Sequence, residues 1–265
     1  MVGADKGIRS PLACCSDLYE LDLVRDLLGD SLHPGGLALT RSLAKTMGLS
    51  AGQALLDVAC GPGRSPIMLA QTYKCHVTGV DLSRKAVGMG QGEAQRYRLK
   101  PLTTFLTGDA SCLPFSRNVF DAVLCECSLT LFPDDQKALA EMARTLKSGG
   151  RLGLSDVTFV LDALPPALDF LETQAMCIPF GTGPEKYTQA MESVGLTVEQ
   201  ATDCSQTILP LLEDIRAKLG LVAAFAKDGG QESGHRLEET IAVVKELVGD
   251  GKLGYWTFVA RKISQ

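Results

Sequence analysis

Three aspartates, Asp57, Asp81 and Asp109, each stand at the end of an apolar run: ALLDVACGPG (54–63), CHVTGVDLS (75–83) and TTFLTGDA (103–110). A carboxylate at the end of a buried strand can accept hydrogen bonds from a ligand lying across the edge of a sheet. Behind Asp57, Gly61 and Gly63 supply a tight turn with room for close approach by a ligand. Asp81 follows roughly 20 residues later, where an acid can accept both hydroxyls of an adenosine ribose. Asp109 can take the exocyclic amine of adenine, with Ala110 and Leu113 offering the ring an apolar surface. The plain alternatives are an ordinary strand-to-helix turn at GlyProGly and, at Asp81, a cap for the helix that starts near Ser83. The series favours a ligand with adenosine but no pyrophosphate, since only one short glycine turn is present and no LysSer or LysThr pair follows it.

A second group with chemical potential is thiol. The chain has 9 cysteines, an odd number. A disulfide framework is not expected in a chain of this size without a secretion signal. The paired cysteine and histidine spacings of structural zinc are absent, and the 3 histidines, His33, His76 and His235, are far apart in sequence, so no metal site is expected. Cys125 and Cys127 are two apart in FDAVLCECSLTLF (120–132), which on a continuing strand puts both on one face and Glu126 on the other. Cysteine at such positions is also an ordinary small buried hydrophobe.

These residues need a scaffold, and apolar runs alternating with helical segments supply one. Strand runs are expected at 54–63, ending in a glycine loop, and at 75–83, 103–110, 120–132 and 151–159, with helices near 66–73 and 84–98 and through DDQKALAEMARTLKSGG. Such alternation implies a parallel sheet covered on both faces. Ahead of it, LYELDLVRDLL and GGLALTRSLAKTMGL read as a two-helix leader broken at HisProGlyGly (33–36). After Phe159 the pattern becomes helical near 165–176 and 184–194, then a strand at LTVEQATD and two more helices. An exposed loop containing Gly229, Gly230 and QESGH lies between those helices, and a last strand falls at 254–262.

The 265 residues suit one large domain, and a net charge of −5 argues against a duplex nucleic-acid partner. No apolar stretch approaches the roughly 20 residues that span a bilayer, and the N-terminus lacks a signal peptide's apolar middle. A cytoplasmic location and no membrane partner are expected.

Residues 54–160 resemble the class I S-adenosylmethionine-dependent methyltransferases of the small-molecule branch. The resemblance rests on AspValAlaCysGlyProGly (57–63), GlyValAspLeuSer (79–83), GlyAspAlaSerCysLeuProPhe (108–115), PheAspAlaValLeuCysGlu (120–126) and LeuLysSerGlyGlyArgLeu (146–152). One departure is Ala59, at the first glycine position of the family motif, which should narrow the turn only slightly. The resemblance implies a doubly wound α/β fold with a seven-stranded, mostly parallel sheet, its last strands antiparallel. It implies S-adenosylmethionine as cofactor, held by Tyr19, Asp57, Ala59, Gly61, Gly63, Asp81, Leu82, Asp109, Ala110 and Glu126. It also implies a division into a helical leader at 1–50 and a methyltransferase domain at 51–265, with a helical lid at about 160–195.

The stretch 126–157 is in addition similar to arsenite methyltransferases, which implies Cys127 and Cys177 as acceptor-site thiolates for a thiophilic metalloid such as trivalent arsenic. The cysteine those enzymes carry after the glycine loop is missing here, where ArgSerProIle (64–67) stands; Cys14 or Cys15 would have to complete the set. Across nearly the full chain, LeuHisProGlyGlyLeuAlaLeuThr (32–40) and the closing GlyTyrTrpThrPheValAlaArgLys resemble uncharacterised methyltransferase-like proteins of anaerobes. Carbon, oxygen or nitrogen acceptors on a small metabolite remain open, with Met176, Phe180 and Tyr187 as candidate pocket residues and Tyr19 and Glu20 as candidates to close over the cofactor. Two other classes also remain: an NAD(P)-dependent oxidoreductase and a non-catalytic cofactor-binding protein.

Overall fold

The computed structural model describes residues 33–160, 165, 183–225 and 230–263, without the side chains of 219–237. Tyr19, Glu20, Cys14, Cys15, Met176, Cys177 and Phe180 lie outside the described residues, as do the first leader helix and most of the 160–195 region.

The described elements run α1 (Gly36–Thr46), β1 (Ala54–Val58), α2 (Arg64–Tyr73), β2 (His76–Asp81), α3 (Arg84–Arg96), β3 (Thr103–Thr107), β4 (Phe120–Glu126), α4 (Asp135–Thr145), β5 (Leu146–Phe159), α5 (Pro184–Ser193), β6 (Leu196–Asp203), α6 (Ile208–Phe225), α7 (Gly230–Gly249) and β7 (Leu253–Lys262). The seven strands form one sheet in the order β3-β2-β1-β4-β5-β7-β6. Strands β1 to β5 pair in parallel, and β7 is antiparallel to both β5 and β6. Only β7 therefore runs against the rest, a narrower departure than an antiparallel end to the sheet. This is the doubly wound α/β architecture expected from the alternation.

Period-2 alternation decides which face each side chain joins. On β1 and β4, Leu56, Val58, Val123 and Cys125 pack with Ala138, Leu139 and Met142 of α4 and Tyr187 and Met191 of α5. The intervening Leu55, Ala122 and Leu124 pack on the other face with Leu43 and Ala44 of α1 and Leu69 and Ala70 of α2. Helix α1 is thus built into the main core. A satellite cluster joins Val244, Leu247 and Val248 of α7 and Ile208 of α6 to Phe159 and Tyr255.

Three local readings differ from the structure. Strand β4 stops at Glu126 instead of running on to 132, because Cys127 has φ 52, in the left-handed region that ends extended pairing. Pairing of β5 begins at Leu146, opposite Phe120, and shifts before Arg151 meets Ala122, so the SerGlyGly turn is an irregularity within the strand. The QESGH stretch is helical, part of α7, and not a loop. Among the described residues no helix is long and apolar enough to cross a membrane.

Candidate functional site

The strand order reverses between β1 and β4, and in open α/β sheets ligands bind outside the carboxyl ends of the strands at that point. The turn leaving β1 is held by Cys60 N donating to Val80 O and Gly63 N donating to Cys60 O, each at 3.1 Å. Ala59, Gly61 and Gly63 all have positive φ, of 60, 52 and 83. Ala59 thus adopts, with a Cβ, the left-handed conformation that glycine takes without penalty. At Gly63 the crowding is internal: a Cβ there would lie 2.7 Å from the Phe105 ring of β3. That glycine is needed for the turn to seat on the sheet, a reason different from room for a ligand.

Asp81 braces this turn from β2. Its Oδ2 accepts from Gly61 N and its Oδ1 from Ser83 N, both at 2.8 Å. The cap of α3 is Ser83 itself, which accepts from Ala86 N, so the capping alternative for Asp81 does not hold. Beside it, Leu82 is 51% exposed, a large apolar side chain left at the strand end. Asp109 follows β3 and holds Ser111 through its N and Oγ, both 2.8 Å from Oδ1. The carboxylate remains exposed, while Ala110 and Leu113 are buried beneath it. The structure brings Asp57, Ala59, Gly61, Gly63, Asp81, Leu82, Asp109, Ala110 and Glu126 to the carboxyl ends of β1, β2, β3 and β4.

Asp57 and Glu126 are the unusual pair. Asp57 lies opposite Leu124 in the β1–β4 register, so Glu126, two residues beyond Leu124, shares its face on the neighbouring strand. Both side chains are buried, and among the described residues Asp57 Oδ2 and Glu126 Oε1 have no hydrogen-bond partner. Burial pushes the Asp57 carboxyl well above the usual range, and the charges of Glu126 and Asp81 push it further. Buried acceptors of this kind carry a cost unless a donor or cation meets them.

The other oxygen of Glu126 is heavily engaged. Its Oε2 accepts from Thr40 Oγ1 of α1 at 3.1 Å and from Ser65 Oγ of α2 at 3.0 Å. His33 Nε2 stands 3.6 Å from the same oxygen. His33 Nδ1 lies 3.1 Å from the Pro34 carbonyl, and its Nε2 lies 3.3 Å from Thr40 Oγ1. His33, Thr40 and Ser65 did not emerge from the sequence as site residues. Their one signal was the HisProGlyGly break ahead of α1, and nothing local ties them to position 126.

The thiols fall elsewhere. Cys125 is fully buried against α4, whereas the left-handed turn at Cys127 sends its side chain to the satellite cluster with Phe159 and Tyr255. The expectation that both share a face fails because the strand does not continue. Burial and the nearby charges of Asp156 and Glu126 push the Cys127 thiol far up, against ionisation. Asp156, fully buried at the end of β5, spends its carboxylate on the turn after β4: Oδ2 accepts from Thr130 N at 3.1 Å, and Oδ1 accepts from Thr130 Oγ1 at 3.3 Å and Val157 N at 2.8 Å. Among the described residues no group of three or more His, Cys, Asp or Glu side chains can hold a metal ion.

The arrangement therefore offers buried negative charge for a cation, exposed acceptors for hydroxyl and amine groups, and an apolar ledge for a ring. Comparison with known proteins agrees. Residues 56–154 match the family model described as a methyltransferase domain. The 27-O-demethylrifamycin SV methyltransferase of Amycolatopsis mediterranei is 31% identical over 257 residues, covering 91% of this chain and 93% of that protein. The O-methyltransferase cnsE of Penicillium expansum is 28% identical, covering 91% and 89%. In fold, the chain is similar to phosphoethanolamine N-methyltransferase 2 of Haemonchus contortus, solved with S-adenosyl-L-methionine, at TM-score 0.80 and 18% identity, covering 98% of this chain and 61% of that one. With a match of this length to a relative above 30% identity and a matching domain model, the chain belongs to the class I S-adenosylmethionine-dependent methyltransferases.

Proposed function

We propose that this protein transfers a methyl group from S-adenosylmethionine to a hydroxyl oxygen of a small organic acceptor. The observation that carries the reading is the pair of buried carboxylate oxygens without partners among the described residues, Asp57 Oδ2 and Glu126 Oε1, on neighbouring strands next to the glycine turn. The cofactor has a positive charge at its ammonium and another at its sulfonium, and a donor set of buried carboxylates fits both. When bound, S-adenosylmethionine supplies an electrophilic methyl group.

The chain's own residues bind and orient. Asp81, already aligned by Gly61 N and Ser83 N, presents its carboxylate to the ribose hydroxyls, and exposed Leu82 meets the adenine face. Asp109 with Ala110 takes the adenine edge and plane. Asp57 and the turn from Ala59 to Gly63 receive the methionine end. An in-line displacement needs chiefly alignment and exclusion of water, and buried Glu126 and Asp156 frame the acceptor side at the ends of β4 and β5.

Oxygen is the acceptor element favoured by relatives that match across about nine-tenths of the chain, both named for O-methyl transfer or an O-demethyl substrate. A thiolate-held metalloid has less support. Cys127 is half-buried against the satellite cluster, its thiol pushed away from ionisation by burial and the nearby charges of Asp156 and Glu126, and soft-metal ligation needs thiolate. Cys177, the other half of that idea, lies outside the described residues. A division at residue 50 is likewise weakened by α1 packing into the main core.

Calorimetric titration with S-adenosylmethionine and S-adenosylhomocysteine tests the cofactor reading, repeated with Asp81→Ala. Saturable binding to the wild type, weakened for both ligands by the substitution, is expected. A folded wild type that binds NAD or NADP and neither adenosyl ligand overturns it. Methyl-labelled cofactor with a panel of polyketide-type alcohols and phenols, set against arsenite, then decides the acceptor element.

A further inference from the structure

We infer that Glu126 is the group that recognises the positive charge of the sulfonium, and that Thr40 and Ser65 are positioning residues that aim it. The inference rests on the cofactor reading above and extends it to discrimination between the methylated donor and its neutral product.

Two buried carboxylate oxygens, Asp57 Oδ2 on β1 and Glu126 Oε1 on β4, lack partners among the described residues. These strands are hydrogen-bonded neighbours, and such neighbours lie about 4.8 Å apart. Asp57 and Glu126 also share a face. The cofactor carries two cationic centres joined by a short carbon chain, so the two acceptors on adjacent strands match the two centres in number.

Chemistry assigns which meets which. An ammonium has three N–H donors and needs several acceptors; Asp57 lies at the glycine turn, where backbone carbonyls are close at hand. A sulfonium has no N–H or O–H to donate and responds to a nearby charge rather than to a hydrogen-bonding cage. Glu126 is on β4, and its Oε1 is buried without a partner among the described residues, a water-poor setting where a unit charge acts strongly.

The hydroxyls explain why that oxygen stays open. A glutamate has several rotatable bonds, and left to itself it would turn towards any donor in reach. Here Thr40 Oγ1 from α1 and Ser65 Oγ from α2 both donate to Oε2, across sequence separations of 86 and 61 residues. With these two donors on Oε2 and His33 Nε2 3.6 Å from it, Oε1 is left buried and without a partner among the described residues.

The test measures affinity, not turnover. S-adenosylmethionine and S-adenosylhomocysteine differ by the methyl group and its charge, and sinefungin places an amine where the methyl stands. Calorimetry gives Kd for all three in the wild type, Glu126→Gln, Thr40→Val, Ser65→Ala and Asp81→Ala. Relative to the wild type, Glu126→Gln should shift the ratio of affinities against S-adenosylmethionine and sinefungin and towards S-adenosylhomocysteine by about tenfold or more, as expected for losing one charge in a partly buried site. Thr40→Val and Ser65→Ala should shift it the same way by a smaller factor. Asp81→Ala should weaken all three ligands together and leave the ratio unchanged.

Equal weakening of charged and neutral ligands by Glu126→Gln overturns the inference while leaving the cofactor reading intact. An unchanged ratio does the same. If Glu126→Gln does not fold, the two hydroxyl variants carry the test, and an unshifted ratio in both overturns it. A wild type that binds none of the ligands overturns both readings.

Discussion

Asp57→Asn separates a ligand-directed carboxylate from a structural one, because the two roles give opposite signs with and without ligand. In the ligand-free protein, Asp57 is almost completely buried, Oδ2 has no partner among the described residues, and the charges of Glu126 and Asp81 oppose its own. Its folded pKa lies well above the usual carboxylate range. The stability this supplies is present below the unfolded pKa and is lost as pH rises through the folded value. An amide of the same shape removes the repulsion, so the free variant should melt at or above the wild-type temperature at neutral pH. It should also gain less stability on acidification. A cation reverses the sense: S-adenosylmethionine favours the ionised carboxylate, so binding to the wild type should expel protons and tighten as pH rises. Losing one charged hydrogen bond from a buried site costs about 1.5–3 kcal/mol, or roughly 10- to 150-fold in Kd. The assay is a melting curve paired with calorimetry in two buffers of different ionisation enthalpy. A variant that melts lower yet binds the cofactor as well as the wild type refutes the reasoning, since Asp57 would then serve the fold alone.

Two further expectations concern the scaffold around the site. Ala59→Gly relieves a left-handed alanine at φ 60 and should stabilise the protein by ~0.5–1 kcal/mol after glycine's added chain entropy is subtracted, read as a Tm rise of about 1–4 °C; a lower Tm would show that the turn prefers a Cβ there. Asp156, buried and raised to about 6 chiefly by burial, stabilises the fold below the ordinary carboxylate pKa and loses that contribution as pH rises through about 6. The wild type should therefore gain about 1 kcal/mol from this group between pH 7 and pH 5, and Asp156→Asn should abolish the gain in denaturant titrations at the two pH values.

Much of the fold was legible because a covered parallel sheet writes itself locally. Runs such as ALLDV and FDAVL, separated by amphipathic helices with glycine or proline punctuation, need little context to be read as β-α units. The three acidic strand ends were legible for the same reason, since each closes its own run; that β1, β2 and β3 lie side by side is given by the sheet order. Leu82 and Ala110 follow directly from their neighbours. Local reading failed where one backbone angle changed a direction. Cys127 looked like a continuation of β4, but its left-handed φ ends the strand and parts it from Cys125. Ala59 looked like a mild departure, and its conformation, invisible in the letter, is the one that glycine would adopt without strain.

Sequence by itself determined the sheet, the glycine turn and the row of acids, since periodicity and residue chemistry act over a few positions. Tertiary structure alone decided what Glu126 does. Its partners Thr40 and Ser65 come from different helices, and its companion Asp57 from another strand, joined only by the register of β1 on β4. The electrostatic character of the site belongs to that assembly: packing takes both carboxylates out of water while the donors of two helices meet only one oxygen of Glu126.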